Sequence, residues 1–229
     1  MRFTRTGRQP VLALRGIVAA PHHAAAQAGL LMLERGGSAV DAAVAANLVL
    51  GVVYPHMAGP GGDLFCLLWD AKAGRLEGLN ASGRAARGAT IDAYRERGLD
   101  SIPIRGPLAA LTVPGAVDGW WQLHQRLGRL PFEELFGPAI DLAEDGFAVP
   151  ESLAAWSIPA AEILQEDRTT RATFRPRDRP LQMGERLAFP NLAHALRQIA
   201  EGGPETFYRG SIAARIAAYL AERGGVLDA

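Results

Sequence analysis

Ser38-Ala-Val-Asp-Ala-Ala-Val-Ala-Ala-Asn-Leu-Val-Leu-Gly-Val-Val-Tyr-Pro-His-Met-Ala-Gly-Pro-Gly-Gly-Asp-Leu-Phe65 decides how the chain is read. Ser38 and Asp41 stand at the spacing of a capping box, with a shorter acid in place of the usual Glu. From residue 39 to 53 only Asp41 and Asn47 interrupt an apolar run. A helix with no polar stripe is buried on most sides. It is too short and too rich in Ala to span a bilayer. Pro55 ends or redirects it, and Gly59, Gly61 and Gly62 offer a backbone path that side chains would block. An apolar strand over 64–69 follows. A buried helix, a glycine turn and a strand in that order predict the middle of a layered α/β or α+β core.

Outward from this stretch, residues 17–20 read as a short strand and 24–34 as a helix stopped by Gly36-Gly37. Two apolar runs, 65–69 and 76–80, flank a turn with a glycine and predict a β-hairpin. Ser82-Gly83-Arg84 follows at the end of the second strand, where loops that carry function sit. Further helices are expected over 116–127, over 131–145 with a kink at Pro138, and over 148–166 with an interruption at Pro159. Residues 168–180 read as a loop. A one-sided helix over 191–200 stops at Gly202-Gly203-Pro204, and Ser211 caps a last helix over 212–222.

The composition narrows the function. The chain has 229 residues, 48% apolar and 21% charged, within the range of a globular protein with a sizeable core. Equal numbers of acidic and basic residues give no electrostatic footprint for nucleic acid or an anionic membrane. Cys66 is the only cysteine and sits in an apolar strand, so it reads as a buried structural thiol. His22, His23, His56, His124 and His194 are scattered without metal-ligand spacing, so no metal or cofactor is expected. The N-terminus is charged without a following apolar secretory stretch, and residues 1–16 read as an exposed lead-in of a cytoplasmic protein.

Candidate chemistry is sparse. The glycine turn reads as a structural turn or as a phosphate cradle. The first is favoured, because Pro60 removes a donor and Asp63 would repel a phosphate. Thr169-Thr170 would be a nucleophile only at a chain terminus, with its own α-amine as base. No catalytic residue is therefore assigned.

Several blocks taken together resemble the γ-glutamyltransferase family. These are Gly16-Ile-Val-Ala-Ala-Pro-His-His, Gly36-Gly-Ser-Ala-Val-Asp-Ala-Ala-Val-Ala, Val53-Tyr-Pro-His and Gly59-Pro-Gly-Gly-Asp-Leu-Phe. They continue with Val113-Pro-Gly-Ala-Val-Asp-Gly-Trp, Leu135-Phe-Gly-Pro-Ala-Ile-Asp-Leu-Ala-Glu-Asp-Gly-Phe, Asn191-Leu-Ala-His-Ala-Leu-Arg-Gln-Ile-Ala and Phe207-Tyr-Arg-Gly-Ser-Ile-Ala. The resemblance runs over about residues 14–226. It implies an α+β, N-terminal nucleophile hydrolase fold, a four-layer αββα sandwich made as a self-cleaving precursor. Residues 1–229 would be a single incomplete domain, the helix-rich large-subunit portion. A threonine at the start of the small subunit would attack a γ-glutamyl amide such as glutathione and pass the acyl group to water or an amino acid. That threonine and its oxyanion-hole glycines are expected beyond Ala229, so this chain alone is expected to be inactive. Its partners would be the missing small subunit and a small-molecule amide, glutathione or another acyl amide.

The resemblance departs from the family at one informative place. Where the family carries an arginine for the glutamyl α-carboxylate, Ser82 stands, with Gly83 at the following glutamate. Arg84 takes the arginine's role only if the loop is two residues shorter in effect. The pattern Leu-Asn-Ala-Ser-Gly-Arg-Ala is more similar to the branch that includes cephalosporin-acylase-type amidases. Ser82 and Arg84 are the candidate substrate-binding residues, Arg84 reading either as a carboxylate clamp or as a loop residue in a surface ion pair. The alternatives are an acylase on other acyl amides and a noncatalytic small-molecule-binding module on the same scaffold.

Overall fold

The structure, a computed structural model, describes residues 10–228. Residues 1–9 of the expected lead-in, and the charged terminus behind the cytoplasmic reading, lie outside them. Helix α1 (His23–Glu34) and helix α2 (Ala39–Val53) pack against each other at the centre. The capping box forms as read: Asp41 N donates to Ser38 Oγ (3.1 Å), and Ser38 N donates to Asp41 Oδ2 (2.6 Å). Eleven of the fifteen α2 residues are buried, so this helix is enclosed by its neighbours rather than lying on a surface. Its two polar residues are engaged. Asp41 is fully buried and also accepts from Arg129 N (2.9 Å), while Asn47 Oδ1 accepts the Trp120 indole N–H (2.8 Å).

Strands β1 (Leu64–Asp70) and β2 (Arg75–Ala81) form the expected antiparallel hairpin, with Phe65 opposite Asn80, Leu67 opposite Gly78 and Trp69 opposite Leu76. Its inner face packs Leu64, Cys66, Leu68 and Leu79 on the core. Its outer face carries Phe65, Leu67, Trp69 and Leu76, each more than half exposed. Cys66 is half-buried rather than buried, and burial pushes its thiol pKa up.

Helix α3 (Ile91–Arg95) leads by a segment of turns and bends to helix α4 (Ala116–Leu127), whose Trp120 reaches the core. A 3-10 turn (Phe132–Phe136) precedes helix α5 (Gly137–Asp145). Pro138 thus opens α5 instead of kinking one longer helix, since proline fits the first turn, where no N–H is needed. Strand β3 (Phe147–Ala148), helix α6 (Glu151–Ser157), helix α7 (Ile163–Glu166), helix α8 (Arg168–Phe174) and strand β4 (Arg186–Leu187) follow, β3 pairing with β4. Helix α9 (Pro190–Tyr208) breaks at Gly203, where φ is 65°, and resumes at Pro204. Helix α10 (Ser211–Ala221) closes the described chain.

Further expectations are corrected. Residues 17–20 form no strand among the described residues, because a strand needs a partner edge. Residues 168–174 are helical, since Asp167 caps them by accepting from Thr170 N (2.7 Å). Ser211 is the first residue of α10 and makes no capping hydrogen bond; Gly210 holds the cap position. Gly59 and Gly61 have no neighbour that a Cβ would meet and no positive φ, so the close approach is made elsewhere, Gly51 of α2 lying against Gly59. The α+β class is as expected, with a helix-rich body and two two-stranded sheets among the described residues.

Candidate functional site

The glycine turn between α2 and β1 presents acceptors to its surroundings. The Gly62 carbonyl receives both Gly115 N (3.0 Å) and Ala116 N (2.9 Å), closing the N-terminus of α4, where no side chain caps. Asp63 Oδ1 accepts from Gly83 N (3.3 Å) and from the Thr112 hydroxyl (3.5 Å). A phosphate needs donors, and here a carbonyl and a carboxylate point outward; the turn is a structural clasp between α4 and the loop after β2.

That loop is held at several points. Asn80 Oδ1 accepts from Ser82 N (2.9 Å), turning the chain sharply as β2 ends. Gly83 lies so close beneath Val113 that any Cβ would collide with the Val113 carbonyl oxygen. Val113 N donates to the Arg84 carbonyl (3.0 Å), and Ala85 bridges to Thr112. Residues 82–86 therefore run against 112–114 in a fixed register. Arg84 cannot slip back to the place that Ser82 occupies.

Tyr208, at the end of α9, completes the wall. Its hydroxyl donates to the Pro114 carbonyl (2.7 Å) and accepts from Asp118 N (3.0 Å), and burial pushes its pKa up. It stays a neutral donor at physiological pH and fixes the start of α4 against α9.

Two clefts flank this wall and share Arg84, Val113, Pro114 and Tyr208. One, of about 580 Å³, is also lined by Ser82, Asp118 and Gln122. The other, of about 440 Å³, lies between the loop and α10 and is also lined by Arg87, Phe207, Ile216 and Leu227. The structure thus brings Ser82 and Arg84 to one cleft, both exposed. Among the described residues Arg84 has no ion-pair partner, so the surface ion pair weighed from the sequence is not what occupies it.

A larger cavity of about 760 Å³ lies between the glycine turn and residues 169–192. Its acid, Glu185, is already engaged by Arg177 (2.6 Å), Arg179 (2.8 Å) and Gln182 N (2.9 Å), which leaves it no spare charge for a ligand. Thr169 lines this cavity from inside a helical turn, without a terminal amine. Among the described residues no cluster of His, Cys, Asp and Glu is arranged to hold a metal. No helix among them is long and apolar enough to cross a membrane. Sequence reasoning singled out Ser82 and Arg84 but not Tyr208, and it used Asp63 only as a charge that would repel phosphate; the bonds these two make reach residues 20 to 94 positions away.

Comparisons with known proteins complete the picture. The family model described as gamma-glutamyltranspeptidase matches residues 25–229. The chain is 38% identical over 217 residues to a glutathione hydrolase-like YwrD proenzyme of Bacillus subtilis, covering 95% of this chain and 41% of the relative. It is 41% identical over 214 residues to an oxamate amidohydrolase proenzyme of Klebsiella pneumoniae, covering 91% and 40%. Among solved structures, the Helicobacter pylori gamma-glutamyltranspeptidase superposes with a TM-score of 0.90 at 29% identity, covering 96% of this chain and 64% of that one. The chain thus spans about two fifths of the length of these curated relatives.

Proposed function

The chain belongs to the gamma-glutamyltranspeptidase family, and from that premise we propose that it is the large-subunit part of an N-terminal nucleophile amidohydrolase. The chain contributes the acyl-pocket wall, and a threonine outside it contributes the nucleophile. In that reaction the threonine hydroxyl attacks the amide carbonyl while its α-amine takes the proton and hands it to the leaving amine. The acyl-enzyme then passes to water or to an acceptor amine. Residues 1–229 would form part of one domain. The outward apolar face of the hairpin, with Phe65, Leu67, Trp69 and Leu76, supports further structure packing there. A stand-alone binding module has no use for such a face.

The observation that carries the substrate reading is Arg84, a guanidinium without an ionic partner among the described residues, on the wall of a cleft and held by a loop of fixed register. It pairs with the carboxylate of the acyl group. Ser82 leaves the family's usual arginine position without a charge. This favours an acyl group other than glutamyl, and the likeness to an oxamate amidohydrolase points the same way. The test is kinetic, on the full-length enzyme. Arg84→Ala should lower kcat/KM for carboxylate-bearing acyl amides by ~2–4 kcal/mol equivalent. Oxamate and γ-glutamyl amides are compared side by side. An unchanged kcat/KM with every acyl substrate overturns the clamp.

A further inference from the structure

Arg87 has no assigned role, yet it lines the 440 Å³ cleft on whose wall Arg84 also stands. Ala86 between them is buried, while both arginines are exposed, so the loop anchors inward by a methyl group and leaves two guanidinium groups on the cleft side. The backbone beneath them is held at both ends. The Arg84 carbonyl is bound by Val113 N, and Ala89 N closes a turn onto the Ala86 carbonyl (3.0 Å). A Cβ on Gly88 would lie 3.0 Å from the Val226 carbonyl oxygen, so that side is packed too.

Among the described residues neither arginine has an ion-pair partner, whereas Arg177 and Arg179 share a carboxylate and Arg223 has its own. Two like charges on one cleft repel each other, and an anion seated between them relieves that repulsion. Phe207 and Leu227, both buried, and the partly buried Ile216 back the cleft with apolar surface, so its charged groups are the arginines and Asp228. Asp228 is the one acid in the lining and pairs with neither arginine among the described residues.

We infer that Arg84 and Arg87 form a two-arginine site for a single carboxylate in the cleft between the loop after β2 and α10, and that Arg87 is a specificity-determining residue for the acyl group. The inference rests on the reading of Arg84 given above and extends it. The acyl carboxylate is held in the 440 Å³ cleft, whose wall of Arg84, Val113, Pro114 and Tyr208 it shares with the 580 Å³ cleft.

The test uses the full-length protein and oxamate as probe, with propionamide as an uncharged control. Side-chain Nε–H resonances of Arg84 and Arg87, assigned by Arg84→Lys and Arg87→Lys, are followed by NMR during titration. Both resonances should move with oxamate and neither with propionamide. Arg84→Ala and Arg87→Ala should each weaken oxamate binding about tenfold or more, and the double variant should lose less than the product, since both side chains hold one carboxylate. Circular dichroism confirms that each variant is folded, and Arg87→Gln serves if Arg87→Ala is not. If Arg84→Ala weakens binding and no Arg87 variant does, the two-arginine site is refuted while the single clamp stands. If Arg84→Ala has no effect, both fall. An equal loss from Arg105→Ala, outside both clefts, reduces the binding to general attraction and overturns the site.

Discussion

Replacing Asp41 by Ala tests whether the central helix is held by local capping or by a wider buried network. Asp41 is fully buried, and its Oδ2 accepts two backbone donors, Ser38 N at 2.6 Å and Arg129 N at 2.9 Å. The first bond is local to the cap; the second joins the start of α2 to the segment after α4. Loss of an N-cap side chain costs about 1 kcal/mol, which is the expectation for Ser38→Ala. A hydrogen bond to a buried charged group contributes ~1.5–3 kcal/mol, and a donor left unpaired costs ~1–3 kcal/mol. With the cap partly lost and the Arg129 amide stranded, Asp41→Ala should cost ~3–5 kcal/mol. Urea denaturation at pH 7, followed by tryptophan fluorescence, reads the difference from wild type and from Ser38→Ala. The double variant should fall short of the sum, because both residues serve one box. An Asp41→Ala loss no larger than that of Ser38→Ala would refute the reasoning, since the carboxylate would then be only a local cap.

Gly83→Ala places a methyl group against the Val113 carbonyl, and backbone must move to admit it. The expected cost is ~1–3 kcal/mol in urea denaturation, with the Arg84–Val113 pairing lost and oxamate binding weakened; unchanged stability and binding would show that the loop is not held there. Stability should also depend on pH through His22 and His56. Burial lowers the pKa of both in the fold, with the neighbouring His23 adding to the effect at His22. The unfolded chain therefore binds protons that the fold does not. The stabilising contribution is complete above the unfolded value of about 6.5 and is lost as pH falls through it toward the lowered folded values. His22 adds a structural reason, because its Nδ1 accepts from Ala24 N (3.2 Å) at the start of α1, and protonation removes that acceptor. The urea midpoint should drop between pH 8 and pH 5, and His22→Asn combined with His56→Gln should flatten the drop; an unaltered slope contradicts this.

Much of the fold was legible where the signal is local. Ser38 and Asp41 make a cap from residues three apart, and the hairpin follows from two apolar runs about a glycine. Helix α8 was hidden because its residues are polar and no apolar run follows its local cap. Asp167 caps it and also pairs with Arg223 (3.1 Å), whose guanidinium lies over Tyr219. The glycine turn was legible as structural, but not the means by which it holds its neighbours. Its glycines suggested a close backbone approach, while what acts is the Gly62 carbonyl and the Asp63 carboxylate on partners 20 to 54 residues further along the chain. Ser82 and Arg84 were reached through a family pattern. Tyr208 lay within a quoted family block without a role, and Arg87 carries no pattern of its own, because only the folded chain brings α10 and the end of α9 against the loop after β2.

The most direct test of the central claim is to find where the acyl group becomes attached. The full-length protein is incubated with a carboxylate-bearing acyl amide, quenched during turnover, digested and analysed by mass spectrometry. The account predicts an acyl ester on the hydroxyl of a threonine at a newly exposed N-terminus, outside residues 1–229, with the amine released. It further predicts that Arg84→Ala lowers the amount of ester formed. An acyl adduct on any residue of 1–229, or turnover with no threonine ester, would contradict it.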